Sequence, residues 1–186
     1  MVNKTSALST NYKIGSTKIN DEIKITFQEI KNLEIFQISA WPLTLENINF
    51  KLSKIINSTH SPHFNKSLSF NDIHILRIEP LKFWIIGKVN IDIGSDQATI
   101  LDLSHAFTSI EVRGSEVTNF FNRHLPLDLR DQSFPVNSIA SSAIHHVSIK
   151  LWRTDKGYRL FIPRGFALSI WEMLLETASQ FGYEII

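Results

Sequence analysis

Two stretches of the chain follow the same plan, and that repetition limits the fold more than any other feature. The segment "IFQISAWPLTLENINFKLSKII … ILRIEPLKFWIIGK" lies within residues 35–88, and "SIEVRGSEVTNFFNRHL … SIKLWRTDKGYRLFIP" within residues 109–163. Each reads as strand, helix, strand, strand. A strand that feeds a helix and then a hairpin can bury all its apolar faces if the helix lies on the hairpin's sheet. The expected class is therefore α+β: two ferredoxin-like halves with largely antiparallel sheets. The domain expected is residues 21–186, with halves at about 33–95 and 96–186. Residues 1–20 are polar, lack periodicity, and read as a flexible N-terminal arm.

The elements follow from local chemistry. "LEIFQISAW" is rich in β-branched and aromatic residues and reads as a strand. Pro42 opens a helix, where its missing N–H does no harm. Leu45, Ile48, Leu52, Ile55 and Ile56 share that helix's apolar face. "DIHILRIEPLKFWIIGK" reads as two strands joined through Glu79-Pro80-Leu81. "TILDLS" and "TSIEVRG" read as strands, with Gly114-Ser115 as a turn and helix cap. Val117, Phe120, Phe121 and Leu125 share the next helix face. "AIHHVSIKLWRTDKGYRLFIP" reads as a hairpin turning at Thr154-Asp155-Lys156-Gly157. The last helix carries Ala167, Ile170, Trp171, Leu174, Leu175, Ala178 and Phe181, and stops at Gly182.

Composition narrows the function. With 186 residues the chain can bury roughly 70% of its unfolded surface, so it needs no staple. It has no cysteine, which excludes disulfides and thiolate chemistry and suits a reducing, cytoplasmic setting. Lys and Arg number 19 against 18 Asp and Glu, so the basic excess that nucleic acid demands is missing. No apolar run approaches the ~20 residues of a membrane helix, and no apolar signal region follows Met1-Val2-Asn3-Lys4. Neither a nucleic-acid nor a membrane partner is expected.

Candidate chemistry centres on Asp102-Leu103-Ser104-His105. Read as a strand, Asp102 and Ser104 face one side and His105 the other. Ser104 and His105 then cannot meet as nucleophile and base, which need about 3 Å, and no nucleophile elbow is present. His60 and His63 sit in a polar loop without a further ligand at a metal-site spacing. His145 and His146, taken as consecutive strand residues, point apart. Gly114 and Gly165 stand singly, without a dinucleotide or Walker pattern. No catalytic, cofactor-binding or metal-ligating residue is therefore assigned. Phe166, Leu168 and Met173 on the last helix, like Phe50 on the first, lie partly off the core stripe. They suit either internal packing or a subunit interface.

Several of these segments in order resemble the gamma subunit of heterotetrameric sarcosine oxidase. They are Asp102-Leu103-Ser104-His105, Gly114, Pro126-Leu127-Asp128-Leu129 with Phe134-Pro135, and Arg164-Gly165-Phe166-Ala167 with Trp171. "RIEPLKFW" is similar to that family's hairpin, and Ser6-Ala7-Leu8 to its N-terminal arm. The departures are Gly165 for a usual Ser, Phe83 where Trp is common, and Glu79 for a Gly. The resemblance implies a fold like the aminomethyltransferase folate-binding domain and a subunit with no cofactor of its own. It implies alpha, beta and delta subunits as partners, alpha most directly, in a complex using FAD, FMN, NAD and tetrahydrofolate to demethylate sarcosine. It further implies structural roles for Asp102, Ser104, His105, Gly114, Asp128 and Arg164. Aminomethyltransferases place paired aspartates where this chain has His145-His146-Val147-Ser148, so catalysis by this chain alone is not expected. The alternative is a stand-alone folate-binding or aminomethyltransferase-like protein.

Overall fold

The computed structural model describes residues 5–186, so the part of the expected arm at Met1–Lys4 lies outside the described residues. The chain divides into two units. Residues up to Asn32, His105–Val136 and Ser141–Ile186 form the first; Leu33–Ser104 and Asn137–Ala140 form the second.

The second unit starts at β3 (Ile35–Ala40), which leads through a short 3-10 turn at Pro42–Thr44 into α1 (Leu45–Ile55). β4 (Ser67–Phe70), β5 (Ile73–Glu79), β6 (Lys82–Ile86) and β7 (Ala98–Asp102) follow. They form a five-stranded sheet in the order β4-β5-β6-β3-β7. β3 and β5 are both antiparallel to β6, so they run parallel to each other, and α1 makes the crossover that such a pair requires. Ile48, Leu52 and Ile56 of the helical stripe pack with Ile38, Ile75, Phe83 and Ile85 of the sheet in one buried cluster.

The first unit contains β1 (Gly15–Thr17), β2 (Ile25–Ile30), β8 (Phe107–Arg113) and α2 (Val117–Asn122). β9 (Ile139–Ile144), β10 (Val147–Arg153), β11 (Tyr158–Pro163), α3 (Ala167–Ala178) and β12 (Tyr183–Ile185) complete the chain. Seven strands align as β1-β12-β2-β8-β11-β10-β9. The repeat is visible strand by strand: β4-β5-β6-β3 in one sheet matches β9-β10-β11-β8 in the other. Phe27 on β2 meets Phe120 of α2 and Trp171 of α3 edge-on, at 5.7 and 5.3 Å between ring centres. Both helices therefore lie on the same face of this sheet.

Three expectations change. The units are not consecutive halves split near residue 95. β2 pairs with β8 and, in parallel, with β12, which draws the N-terminal residues into the C-terminal sheet. β7 pairs with β3 and carries the other unit on to Ser104. The arm, expected to be flexible, is anchored through Ser6–Tyr12 and paired through β1, while residues 13–20 stay exposed. Leu8 is fully buried, Tyr12 stacks on Trp171 at 5.4 Å, and β1 pairs with β12. Its polar composition hid one buried leucine and one aromatic stack. Finally, Ser115 does not cap α2. Glu116 holds the N-cap position, with no side-chain cap bond.

Gly114 is required there for a different reason. Its φ is +131°, and a Cβ would lie 2.0 Å from the Lys24 carbonyl oxygen. Gly114→Ala is expected to lose about 1–3 kcal/mol of stability, as forced positive-φ backbone does, on top of that clash. Gly165→Ser should change little, because nothing lies within 4 Å of a Cβ there. Urea melts of the two variants check the contrast.

Candidate functional site

The Asp102–His105 segment is a turn, not a strand: β7 ends at Asp102, and residues 104–106 form the turn. Alternation of faces therefore does not keep Ser104 and His105 apart. What engages these groups is backbone. Asp102 Oδ1 accepts the Ser104 amide at 2.8 Å, an Asx-type local bond. Ser104 Oγ accepts the Ile35 amide at 3.0 Å, tying the turn to the start of β3. His105 is exposed. The Ser104 hydroxyl is thus committed to holding a strand end, and its neighbouring imidazole faces solvent.

The other motif residues are spread over the first unit. Asp128 receives Arg130 Nε and Nη2 at 2.8 and 2.6 Å and the Ser133 hydroxyl at 2.6 Å. The Arg130 side chain first, then Ser133 and the Arg130 amide, hold its carboxyl well below the usual carboxylate range. Between them Leu129 is buried, and its carbonyl accepts the Tyr158 hydroxyl at 3.2 Å. Tyr158, fully buried, also meets Thr118 Oγ1 at 3.1 Å and accepts from Arg153. The Pro126–Pro135 loop is thus bonded to a strand. Arg164 Nη2 donates to the Thr5 carbonyl, and the Arg164 amide to the Ala106 carbonyl at 2.8 Å.

Phe166 and Leu168 are 53% and 38% exposed, as their off-stripe positions suggest. Met173 differs: it is half-buried, with its sulfur 2.9 Å from His145 Nε2. His145 and His146 also depart from expectation. They are the two-residue turn between β9 and β10, both exposed, with His145 at φ +52°. The signal lay in the repeat, since Asn71-Asp72 turns β4 into β5 in the same place, with Asn71 at φ +51°. Asparagine at such a position announces a turn; histidine conceals it.

Neither glycine suits a dinucleotide. The space beside Gly114 is taken by the Lys24 backbone, and Gly165 lies in a single 3-10 turn. Among the described residues no three His, Asp or Glu side chains converge as metal ligands, and no helix is long and apolar enough to cross a membrane.

The sequence reading missed a cleft of about 360 Å³ beside α1. His60 and His63, assigned to a solvated loop, line it together, with ring centres 5.6 Å apart. Arg77 enters from β5 beside a bulge between Arg77 and Glu79, the kind of irregularity that re-aims a side chain. Burial pushes the Arg77 guanidinium pKa down, and the Glu46 carboxylate acts against that. A single arginine at the end of a strand gives no sequence signal of such a cleft.

No family model matches the chain. It is similar to the sarcosine oxidase subunit gamma of Corynebacterium sp. (strain P-1), 26% identical over 110 residues, covering 59% of this chain and 54% of that one. It is also similar to the same subunit of an Arthrobacter species, 25% identical over 91 residues, covering 49% and 45%. The chain spans about half the length of the curated relatives it matches. Among solved structures, a chain of the heterotetrameric sarcosine oxidase of Corynebacterium sp. U-96 superposes with a TM-score of 0.73 at 18% identity, covering 84% of this chain and 85% of that one. The glycine cleavage system aminomethyltransferase T of Bartonella henselae superposes with a TM-score of 0.61 at 11% identity, covering 88% and 48%. The resemblance to gamma subunits and the aminomethyltransferase-like α+β fold are both borne out; at these identities the solved structures establish the fold alone.

Proposed function

We propose that the chain is a non-catalytic subunit of a sarcosine oxidase complex, acting in the cytoplasm and docking on the alpha subunit. The single observation that carries this reading is the agreement of two comparisons on one protein: gamma subunits by sequence, and a chain of the heterotetramer by fold. The site chemistry is consistent with it. Ser104 and Asp102 are engaged with backbone, and the stretch where aminomethyltransferases carry aspartates is here an exposed His-His turn.

In this reading the oxidation of sarcosine and the transfer of its one-carbon unit take place on other subunits. FAD, FMN, NAD and tetrahydrofolate are held there, with beta and delta completing the assembly. Phe166 and Leu168 supply the apolar contact with alpha, since they are exposed in the isolated chain and neighbouring exposed apolar groups suit an interaction site.

Co-expression with the candidate alpha, beta and delta chains tests the assembly. A tag on this chain should recover flavin absorbance and sarcosine-oxidising activity, while the isolated chain oxidises none. Phe166→Asp with Leu168→Asp should reduce recovery of the flavin at least about tenfold, as loss of an apolar hot spot does. Recovery of this chain alone overturns the reading. The fold match to an aminomethyltransferase keeps one other reading in view, a stand-alone folate-binding protein. Saturable binding of tetrahydrofolate by the isolated chain would favour it.

A further inference from the structure

The cleft beside α1 contains two opposite charges that do not pair. Arg77 and Glu46 both line it, and the Glu46 field reaches Arg77. Yet among the described residues neither takes part in an ion pair. Arg77 is nevertheless fixed. Its Nε and Nη2 both donate to the Pro80 carbonyl, at 3.2 and 2.6 Å, and its guanidinium lies over the Phe83 ring at 5.0 Å. A carbonyl and a ring face orient a cation without neutralising it. The guanidinium is thus held in place beside the cleft with no carboxylate in direct contact.

The walls are built as well. Ser61, which is buried, donates to Asn49 Oδ1 at 2.8 Å, tying the histidine loop to α1. The two imidazoles stand close together on that loop. A volume of about 360 Å³ falls at the small end of the ~300–1,000 Å³ range of ligand clefts.

We infer that this cleft binds a small zwitterionic amino acid, its carboxylate on Arg77 beside the two histidines and its ammonium on Glu46. A simple anion gains from Arg77 but is repelled by Glu46, and a simple cation meets the reverse. A molecule carrying both charges satisfies both groups, and discrimination of this kind rests on the repulsive half as much as the attractive one. Arginine suits the carboxylate because its planar fork presents parallel donors. The inference stands on the geometry of the second unit and does not depend on the assembly proposed above.

Glycine, acetate and methylammonium, titrated separately into the full-length ¹⁵N-labelled protein, provide the test. Glycine should move the Arg77 Nε and the His60 and His63 ring signals along saturable curves. Acetate and methylammonium should each bind at least about tenfold more weakly, the loss of one charge-assisted contact. Glu46→Gln, which keeps the side chain's shape, should weaken glycine by a similar factor without weakening acetate. Arg77→Gln should weaken both glycine and acetate, with the circular dichroism spectrum as the check on folding. Lys88→Gln, an exposed cation of the same unit outside the cleft's lining, should change neither. Acetate binding as tightly as glycine would overturn the inference, as would glycine shifts that never saturate or that ignore Glu46→Gln.

Discussion

Trp171→Ala is expected to destabilise the first unit by about 3–5 kcal/mol, the usual effect of truncating a fully buried tryptophan. Trp171 is wholly buried and sits where three parts of the chain converge. It packs edge-on against Phe27 of β2, stacks on Tyr12 of the arm, and donates from Nε1 to the Asn11 carbonyl at 3.4 Å. Removing it leaves a cavity between strand and helix and also frees the arm. Tyr12 would lose its stacking partner, although its hydroxyl still bonds the Ile186 carbonyl and the Glu29 amide. Two readouts are therefore expected together: a lower urea midpoint, and faster tryptic cleavage after Lys13 and Lys18. Trp41→Ala, at a residue 45% exposed, is the control and should do neither. Equal effects from the two variants would mean that Trp171 does not hold the arm.

Glu111→Ala should cost a comparable amount, by a different route. Glu111 lies on β8 opposite Gln28 of β2 and Arg159 of β11, with its side chain 7% exposed. Arg159 Nη2 donates to it at 3.2 Å, and Arg113 lies 3.8 Å away. The Arg159 guanidinium also lies over the Trp152 ring at 5.1 Å. A pair this buried adds little net stability, because both ions were removed from water. Removing only the carboxylate is another matter: Arg159 stays buried, with its counter-charge gone, and the loss is about 3–5 kcal/mol. Replacing both partners, Glu111→Leu with Arg159→Met, should recover most of it, since apolar side chains of similar volume leave no buried charge. A double variant as unstable as Glu111→Ala would show that the pair contributes more than the desolvation argument allows. Chemical denaturation of the three proteins decides.

Much of this architecture was legible because it rests on periodicity. Of the α3 stripe predicted from Ala167, Ile170, Trp171, Leu174, Leu175, Ala178 and Phe181, all but Leu175 and Phe181 are buried, and those two are half-buried. Ile48, Leu52 and Ile56 are likewise buried along the α1 stripe. The turn at Thr154–Gly157 closes as expected, with the Thr154 amide bonded to the Gly157 carbonyl at 2.9 Å. The repeated strand-helix-strand-strand pattern matches β3-α1-β5-β6 and β8-α2-β10-β11, but it missed β4 and β9, which pair beside β5 and β10 in the two sheets.

What escaped the sequence rests on contacts between distant residues or on single conformational choices. Nothing local marks Leu8 as core, because its burial depends on the sheet and helix it meets. Asp102-Leu103-Ser104-His105 has enough apolar and β-compatible neighbours to read as a continuous strand. The Asp102 side chain, bonding the amide two residues on, bends it instead. The α1 cleft was hidden for a related reason. Arg77 and Glu46 belong to different elements, and His60 and His63 point to a cleft only once the loop carrying them is tied to α1 through Ser61.

The position of β12 between β1 and β2 sets a schedule for the newborn chain. Tyr183 must lie beside Ile25, and Glu184 beside Ser16, before that sheet is continuous. A ribosome that has delivered residue 140 has already supplied every segment of the second unit, which is free to condense before the last strand is made. The first unit must keep its opening strands waiting, with Phe27 and Leu8 open to water, until residue 185 has cleared the exit tunnel. During that interval those strands are the ones most open to chaperones and to misplaced pairing.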